Sequence, residues 1–426
     1  MSIEEALDWI HSRLKFNIRP GLIRVQALLE RLEHPEKNLS MIHVAGTNGK
    51  GSTIAFMRSI FMQTGMTVAS FTSPYIETFG ERMSINAQPI PDDKLIEYVK
   101  LIKPLVDEMD EIEEIAGITE FEIITAMALK YFSDEHVDLA IIEVGLGGLL
   151  DSTNVIQPAV SVITTIGYDH MNILGSTLEA IARQKAGIIK EKTPVITGNI
   201  KLEALQVIEN IANEKNAPIV EFNKDYVINI QENEDFDFSN GQAQYKSLSK
   251  SLLGLHQIEN AGLAVQSALT YAEKKGMKLT EEQIRKGLAQ ATWPARMEKI
   301  ADEPLTLLDG AHNSHAMIRL LENVATEFKG KKINVIFSAI TTKDILPMIE
   351  MLMTIEHSNL TLTSFDYPLA LDIADYSHLK AKNVQLEQDW EKAYLQLKNT
   401  TKSDEIILFT GSLYFMSQVR KYISNK

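Results

Sequence analysis

The chain has 426 residues, 45% of them hydrophobic and 23% charged, with a formal net charge of −15 and no cysteine. That length suits two or three domains with sizeable cores, and the composition excludes disorder for the bulk of the chain. The acidic balance argues against a general nucleic-acid binder, and the missing thiols exclude disulfides, thiolate catalysis, iron–sulfur clusters and cysteine zinc sites.

At the N-terminus Glu4, Glu5 and Asp8 stand where a signal peptide would be basic and then apolar. Ile3, Leu7, Ile10 and Leu14 recur at helical spacing and predict an amphipathic helix. No apolar run approaches the ~18 residues of a membrane span, so a cytoplasmic protein is expected. Beyond residue 40, short β-branched runs alternate with longer helical stretches, the pattern of a parallel α/β sheet. Strands are predicted at 41–44, 67–71, 139–144, 160–165 and 194–197, and helices at 53–63, 92–115, 120–133 and 177–190. Residues 222–247 change to period two around Asn240-Gly241, which predicts antiparallel strands. A helical pair at 257–274 and 281–290 leads to WPARM at 293–297, where Pro294 marks a domain boundary. A second alternating series then predicts strands near 305–308, 334–337, 360–363 and 406–409. The expected architecture is a large, mainly parallel-sheet domain over 1–295 and a smaller Rossmann-like α/β domain over 296–426.

HVAGTNGKGST (43–53) lies between a predicted strand and a predicted helix. In that context a glycine-rich loop turns backbone N–H groups toward a phosphate at the helix N-terminus. The phosphate-binding stretch is read as Gly46, Thr47, Asn48, Gly49, Lys50, Gly51, Ser52 and Thr53. Lys50 supplies a point charge, and Ser52 or Thr53 a hydroxyl for Mg²⁺. The spacing departs from GxxxxGK[ST], because Val44 occupies the first glycine position and Gly51 directly follows the lysine. EVGLGGLLDSTN (143–154) fails the dinucleotide pattern GxGxxG at Leu150, which weakens a dehydrogenase reading. Glu143 at a strand end and Asp151 in the loop suit a cation opposite the phosphate loop. Asp169 and His170 follow the next strand, and Lys185 lies in a largely apolar helical stretch, where a snorkelling lysine is the bland alternative.

Nine segments occur in order: HVAGTNGKGS, FTSPYI (71–76), ERMSIN (81–86), EVGLGGLLDSTN, DHMNILG (169–175), KAGIIK (185–190), WPARME (293–298), DGAHN (309–313) and TGSLY (410–414). Together they resemble the folylpolyglutamate synthase and dihydrofolate synthase family of the Mur ligase superfamily. The resemblance spans nearly the whole chain. It implies a phosphate-loop ATPase domain, a Rossmann-like domain and an active site in the cleft between them. It also implies the reaction, in which ATP phosphorylates a folate or dihydropteroate carboxylate and the amine of L-glutamate displaces phosphate.

By the same resemblance, Lys50 and the loop glycines hold the β- and γ-phosphates, with Asn260, Arg296 and Asp309 also at the nucleotide. Ser52, Ser73 and Glu143 surround one Mg²⁺. Glu143, His170 and Lys185 surround a second, with Lys185 carried as a carbamate, and a monovalent cation is a further expected ion. Asp151, His312 and Ser412 fall at positions tied to catalysis or domain closure, and Lys343 is a looser match. Ser412 also reads as a helix N-cap. Leu149 departs from the family, which often has arginine there. A monomer without nucleic-acid or membrane partners is expected. Two rivals remain. Cell-wall Mur ligases usually carry an extra domain before the loop, for which the 45 residues ahead of Gly46 are too few. A phosphate-loop NTPase switch would not require DGAHN.

Overall fold

The computed structural model describes residues 1–13, 21–75, 78–232, 234–293, 297–341, 345–376, 379 and 383–424. Leu14, Pro294, Arg296 and Lys343 therefore lie outside the described residues. The chain separates into two compact units. The first comprises Met1–Tyr75, Phe79–Ser251 and Gln257–Thr292, and the second is built from Leu252–His256 and the chain after Trp293.

In the first unit, helices α1 (Ile3–Ser12) and α2 (Ile23–Arg31) precede strand β1 (Met41–Ala45), helix α3 (Lys50–Met62) and β2 (Val68–Phe71). Then come β3 (Met83–Ile85), β4 (Gln88–Pro89), α4 (Asp92–Asp110), α5 (Glu120–Asp134), β5 (Leu139–Glu143) and β6 (Val160–Ile163). The series continues with α6 (Met171–Leu174), α7 (Leu178–Ala186), β7 (Val195–Thr197), α8 (Leu202–Glu214) and β8 (Ile219–Glu221). The hairpins β9 (Tyr226–Ile230), β10 (Phe236–Asn240) and β11 (Gln244–Leu248) form a separate antiparallel sheet, followed by α9 (His256–Lys274) and α10 (Glu281–Gln290).

The main sheet runs β4-β3-β2-β5-β1-β6-β7-β8, parallel from β2 to β8. β1 and β5 are buried at every position, which is why they read as continuous apolar runs rather than alternations. α3 is buried from Ser52 through Phe61, as expected of a helix covered on all sides.

The second unit holds β12 (Glu298–Asp302), β13 (Leu305–Asp309), α11 (Ser314–Glu327), β14 (Ile333–Ser338), α12 (Leu346–Leu352) and β15 (Ser358–Ser364). It ends with β16 (Val384–Asp389), α13 (Trp390–Thr400), β17 (Ile406–Gly411) and α14 (Leu413–Ser424). Its sheet order is β12-β13-β17-β14-β15-β16, with only β12 antiparallel.

Two predicted helices are shorter than the periodicity suggests. α4 stops at Asp110, whose carboxylate is held by Arg13 at 2.7 and 2.9 Å and accepts the Gly117 N–H. That ties the chain into a turn where the apolar spacing alone continues. α7 stops at Ala186 because Gly187, Ile188 and Ile189 bond back three residues instead of four. β3 and β4, β8, β12 and β16 were not predicted from the sequence. They are two to six residues long, and β12 and β16 are half exposed, so their apolar signal is diluted.

Candidate active site

Four adjacent parallel strands end on one edge of the main sheet. Val44 pairs with Glu143, Ala45 with Ile163 and Phe71 with Ile142, so the loops after β1, β2, β5 and β6 emerge side by side. Ligands of open α/β sheets sit outside these carboxyl ends. The register thus brings together the glycine loop, Ser73, Glu143 and Thr164–Thr165, segments spread over 120 residues of sequence.

The loop after β1 is pinned from beneath. Thr47 N–H donates to Thr165 O at 2.8 Å, Asn48 N–H to Thr165 Oγ1 at 3.0 Å, and Thr164 Oγ1 to Asn48 O at 2.6 Å. Gly49 has φ +83°, and a Cβ there would lie 2.4 Å from Asn260 Oδ1, so the backbone reversal and the approach of α9 both demand glycine. Gly49 is also the N-cap of α3 and brings no capping side chain. The N–H groups of the first helical turn, from Lys50 to Ser52, consequently have no intrahelical acceptor and are available to an anion. Ser52 is buried; Thr53 is fully buried, and its N–H closes the first turn onto Gly49 O.

Two lysine amines converge on one carbonyl. Lys50 Nζ and Lys185 Nζ each donate to Gly46 O at 3.0 Å. Lys50 also lies 3.8 Å from Glu143 Oε1, while Glu143 Oε2 accepts the Ser73 N–H at 3.1 Å. Lys185 is 5% exposed, which overturns the snorkelling alternative. Burial, reinforced by the Lys50 charge and opposed by Asp169 and Asp151, pushes its amine from the usual lysine range down to about 7. The glycine-rich stretch 145–148 serves this placement. A Cβ on Gly148 would lie 2.7 Å from Gln184 O and 2.9 Å from Lys185 O, so the loop rests directly on the backbone of α7.

His170 lies in the loop after β6. It is the left-handed N-cap of the short α6, its side chain 46% exposed and 3.8 Å from Asp169. No group of three or more His, Asp or Glu side chains able to hold a metal exists among the described residues. Asn260 donates to Gln257 at 2.9 Å and faces Gly49.

Beside the loop lies a cavity of about 600 Å³, within the range of small-molecule pockets. Phe121, Leu146, Leu150, Ile173 and Leu174 supply apolar lining, with Arg82, Glu120, Glu122, Ser73 and Asp151 as polar groups. The sequence reading singled out Ser73 and Asp151 and missed the others. Their local signal, the Thr119–Glu122 capping box that starts α5, identifies a helix start and not a ligand.

In the second unit Asp309 and Gly411–Ser412 end the paired strands β13 and β17. Asp309 accepts the Met297 and Ala311 N–H groups at 3.0 Å each. His312 Nδ1 contacts Gly310 O at 2.8 Å, and since a carbonyl only accepts, Nδ1 carries a proton. Ser412 Oγ accepts the Tyr414 N–H at 3.2 Å and so caps α14.

Residues 44–268 match the Mur ligase middle domain, and residues 295–413 match the Mur ligase glutamate ligase domain. The chain is 44% identical over 426 residues to dihydrofolate synthase/folylpolyglutamate synthase of Bacillus subtilis, covering 98% of both chains. It superposes on the apo form of Lactobacillus casei FPGS with TM-score 0.89 at 34% identity, covering all of both chains. An FPGS–AMPPCP–folate complex matches with TM-score 0.84 at 34% identity, covering 99% of this chain and 100% of that one. With both Mur ligase domains matched in order and near-complete coverage at 44% identity, the chain belongs to the dihydrofolate synthase/folylpolyglutamate synthase family of Mur ligases.

Proposed function

We propose that this protein is an ATP-dependent amide ligase that joins L-glutamate to a folate, and that it also accepts dihydropteroate. One observation carries the reading: Ser73 belongs to both halves of the site. Its backbone N–H bonds Glu143 beside the phosphate loop, and the residue also lines the 600 Å³ cavity. A pteroyl substrate in that cavity would present its carboxylate next to the γ-phosphate of a nucleotide held by the loop. The apolar lining with a few polar groups suits an aromatic heterocycle.

A carboxylate oxygen attacks the γ-phosphorus of ATP, ADP leaves, and an acyl phosphate forms. The neutral amine of glutamate then attacks the acyl carbon and gives up a proton, and inorganic phosphate departs with the electron pair of the broken C–O bond. Phosphoryl transfer depends on positioning and charge neutralisation more than on covalent help. The N–H groups of the α3 first turn orient the phosphates, and the Lys50 ammonium offsets the charge developing on them.

The buried Glu143 carboxylate with the Ser52 and Ser73 hydroxyls makes an all-oxygen donor set, which fits Mg²⁺. When bound there, the ion would neutralise phosphate charge. A second Mg²⁺ needs Lys185 as a ligand beside Glu143 and His170. An ammonium has no lone pair to give, but a carbamate formed from the neutral amine and CO₂ does. The depressed pKa of Lys185 supports that modification. ATP as co-substrate supports a cytoplasmic setting.

The test is ADP release with L-glutamate and either tetrahydrofolate or dihydropteroate. Phosphate should appear one-for-one with amide product. Hydrolysis of ATP indifferent to both pteroyl compounds would point instead to an NTPase switch.

A further inference from the structure

Three carboxylates line the cavity in different company. Glu120 faces His11 at 3.1 Å and Arg82 at 3.5 Å, and Glu122 faces Arg24 at 3.0 Å. Asp151, 6% exposed, has no ion pair among the described residues and is held by neutral donors. Leu146 N–H reaches Oδ2 at 2.8 Å, while the Thr153 N–H and hydroxyl reach Oδ1 at 3.0 and 2.5 Å. Thr153 Oγ1 is also 2.9 Å from Nε2 of His43. Both residues are fully buried, and His43 Nδ1 has no hydrogen-bond partner among the described residues. His43 comes from the middle of β1, and the other two from the loop after β5.

The direction of this chain follows from donor valence. An ionised carboxylate only accepts, so the single Thr153 hydroxyl proton points to Asp151. The Thr153 oxygen then accepts, and His43 must carry its proton on Nε2. Reversing the chain would place a proton on Asp151 and another on Nδ1. That leaves a buried N–H with nothing to bond, which is rare and costly. His43 is also neutral at working pH, since burial and the Lys190 charge lower its pKa to about 3.

We infer that His43 and Thr153 are positioning residues for the reaction proposed above. The chain from His43 Nε2–H through the Thr153 hydroxyl to Asp151 Oδ1 locks the orientation of the one cavity carboxylate that has no direct ion pair among the described residues. The pteroyl substrate thereby meets a fixed acceptor. This rests on the functional reading of the cavity, and nucleotide binding does not depend on it.

The tautomer is read by ¹⁵N-histidine NMR on the intact wild-type chain, with His43→Gln identifying the His43 signals. The expected result is a neutral ring protonated on Nε2 with a bare Nδ1. Thr153→Val keeps the side-chain shape and removes the hydroxyl. It should raise KM for the folate substrate at least about tenfold, leave KM for ATP within about twofold, and be reversed by Thr153→Ser. A proton on Nδ1 or a charged ring would overturn the inference. So would a folded Thr153→Val protein with unchanged folate KM, or one whose ATP and folate KM rise together. The NMR reading needs no turnover, so a wild-type protein that fails to ligate glutamate would sink the functional proposal separately.

Discussion

Lys50 and Lys185 donate to the same carbonyl oxygen, and their proximity couples their chemistry. Lys50→Ala should lower ATP turnover at least ~10²-fold while thermal unfolding stays cooperative, because it removes charge from the phosphates and not from the core. Wild-type kcat in a folded variant would refute the phosphate-loop assignment. The same variant removes a charge that depresses the Lys185 pKa, so the Lys185 amine should be protonated over a wider pH range. The sign follows from linkage. The folded-state pKa of Lys185 is lowered, so the unmodified amine is neutral above about 7 in the native state and only above ~10.4 when unfolded. The unmodified enzyme therefore gains stability as pH rises through that window. A ¹³CO₂ adduct at Lys185 should grow in NMR as pH increases through about 7, and grow later in Lys50→Ala. Lys185→Ala should be inactive and partly rescued by a short carboxylic acid. Full activity without CO₂ would exclude the carbamate.

At the scale of elements, α5 and α10 begin with the same device. Thr119 and Thr280 each accept the N–H three residues on, and Glu122 and Gln283 return the bond. Removing either hydroxyl should destabilise the fold by about 1 kcal/mol, visible as a shift in denaturant midpoint. The functional outcomes should differ. Thr119, Glu120 and Glu122 line the cavity, so Thr119→Ala should also raise KM for folate. α10 supplies no cavity residue, so Thr280→Ala should leave both KM values unchanged. Equal kinetic effects would mean that the cavity is not the folate site.

For the molecule as a whole, two Mur ligase domains are matched in order along the chain. The phosphate loop belongs to the middle domain and His312 to the glutamate ligase domain. His312→Ala should lower kcat at least ~10²-fold, since an imidazole able to serve in proton transfer is lost. The Kd for ATP, measured by calorimetry, should change by less than about threefold, because the loop and α3 are untouched. A variant that lost ATP affinity in proportion to kcat would place His312 in nucleotide binding alone.

Motif and periodicity were enough to identify the glycine-rich strand–helix junction, the parallel sheet, most helices of the first unit and the family. Those signals are local: glycines at a strand–helix junction, apolar runs in strands buried on both faces, apolar spacing along helices. Lys185 shows where that legibility stops. Its sequence neighbourhood fits a snorkelling lysine as well as a buried one, and only the packing of α7 under Gly148 and beside Lys50 decides its pKa. The cavity was equally hidden, because Arg82, Phe121, Leu146 and Asp151 meet only when β2, β5 and the start of α5 are set side by side. The His43–Thr153–Asp151 chain spans 110 residues between its first two members. The sequence by itself determined which chemistry is available. Tertiary structure decided which charges are desolvated and which carboxylates form direct ion pairs, because burial and pairing depend on distances that local pattern does not encode.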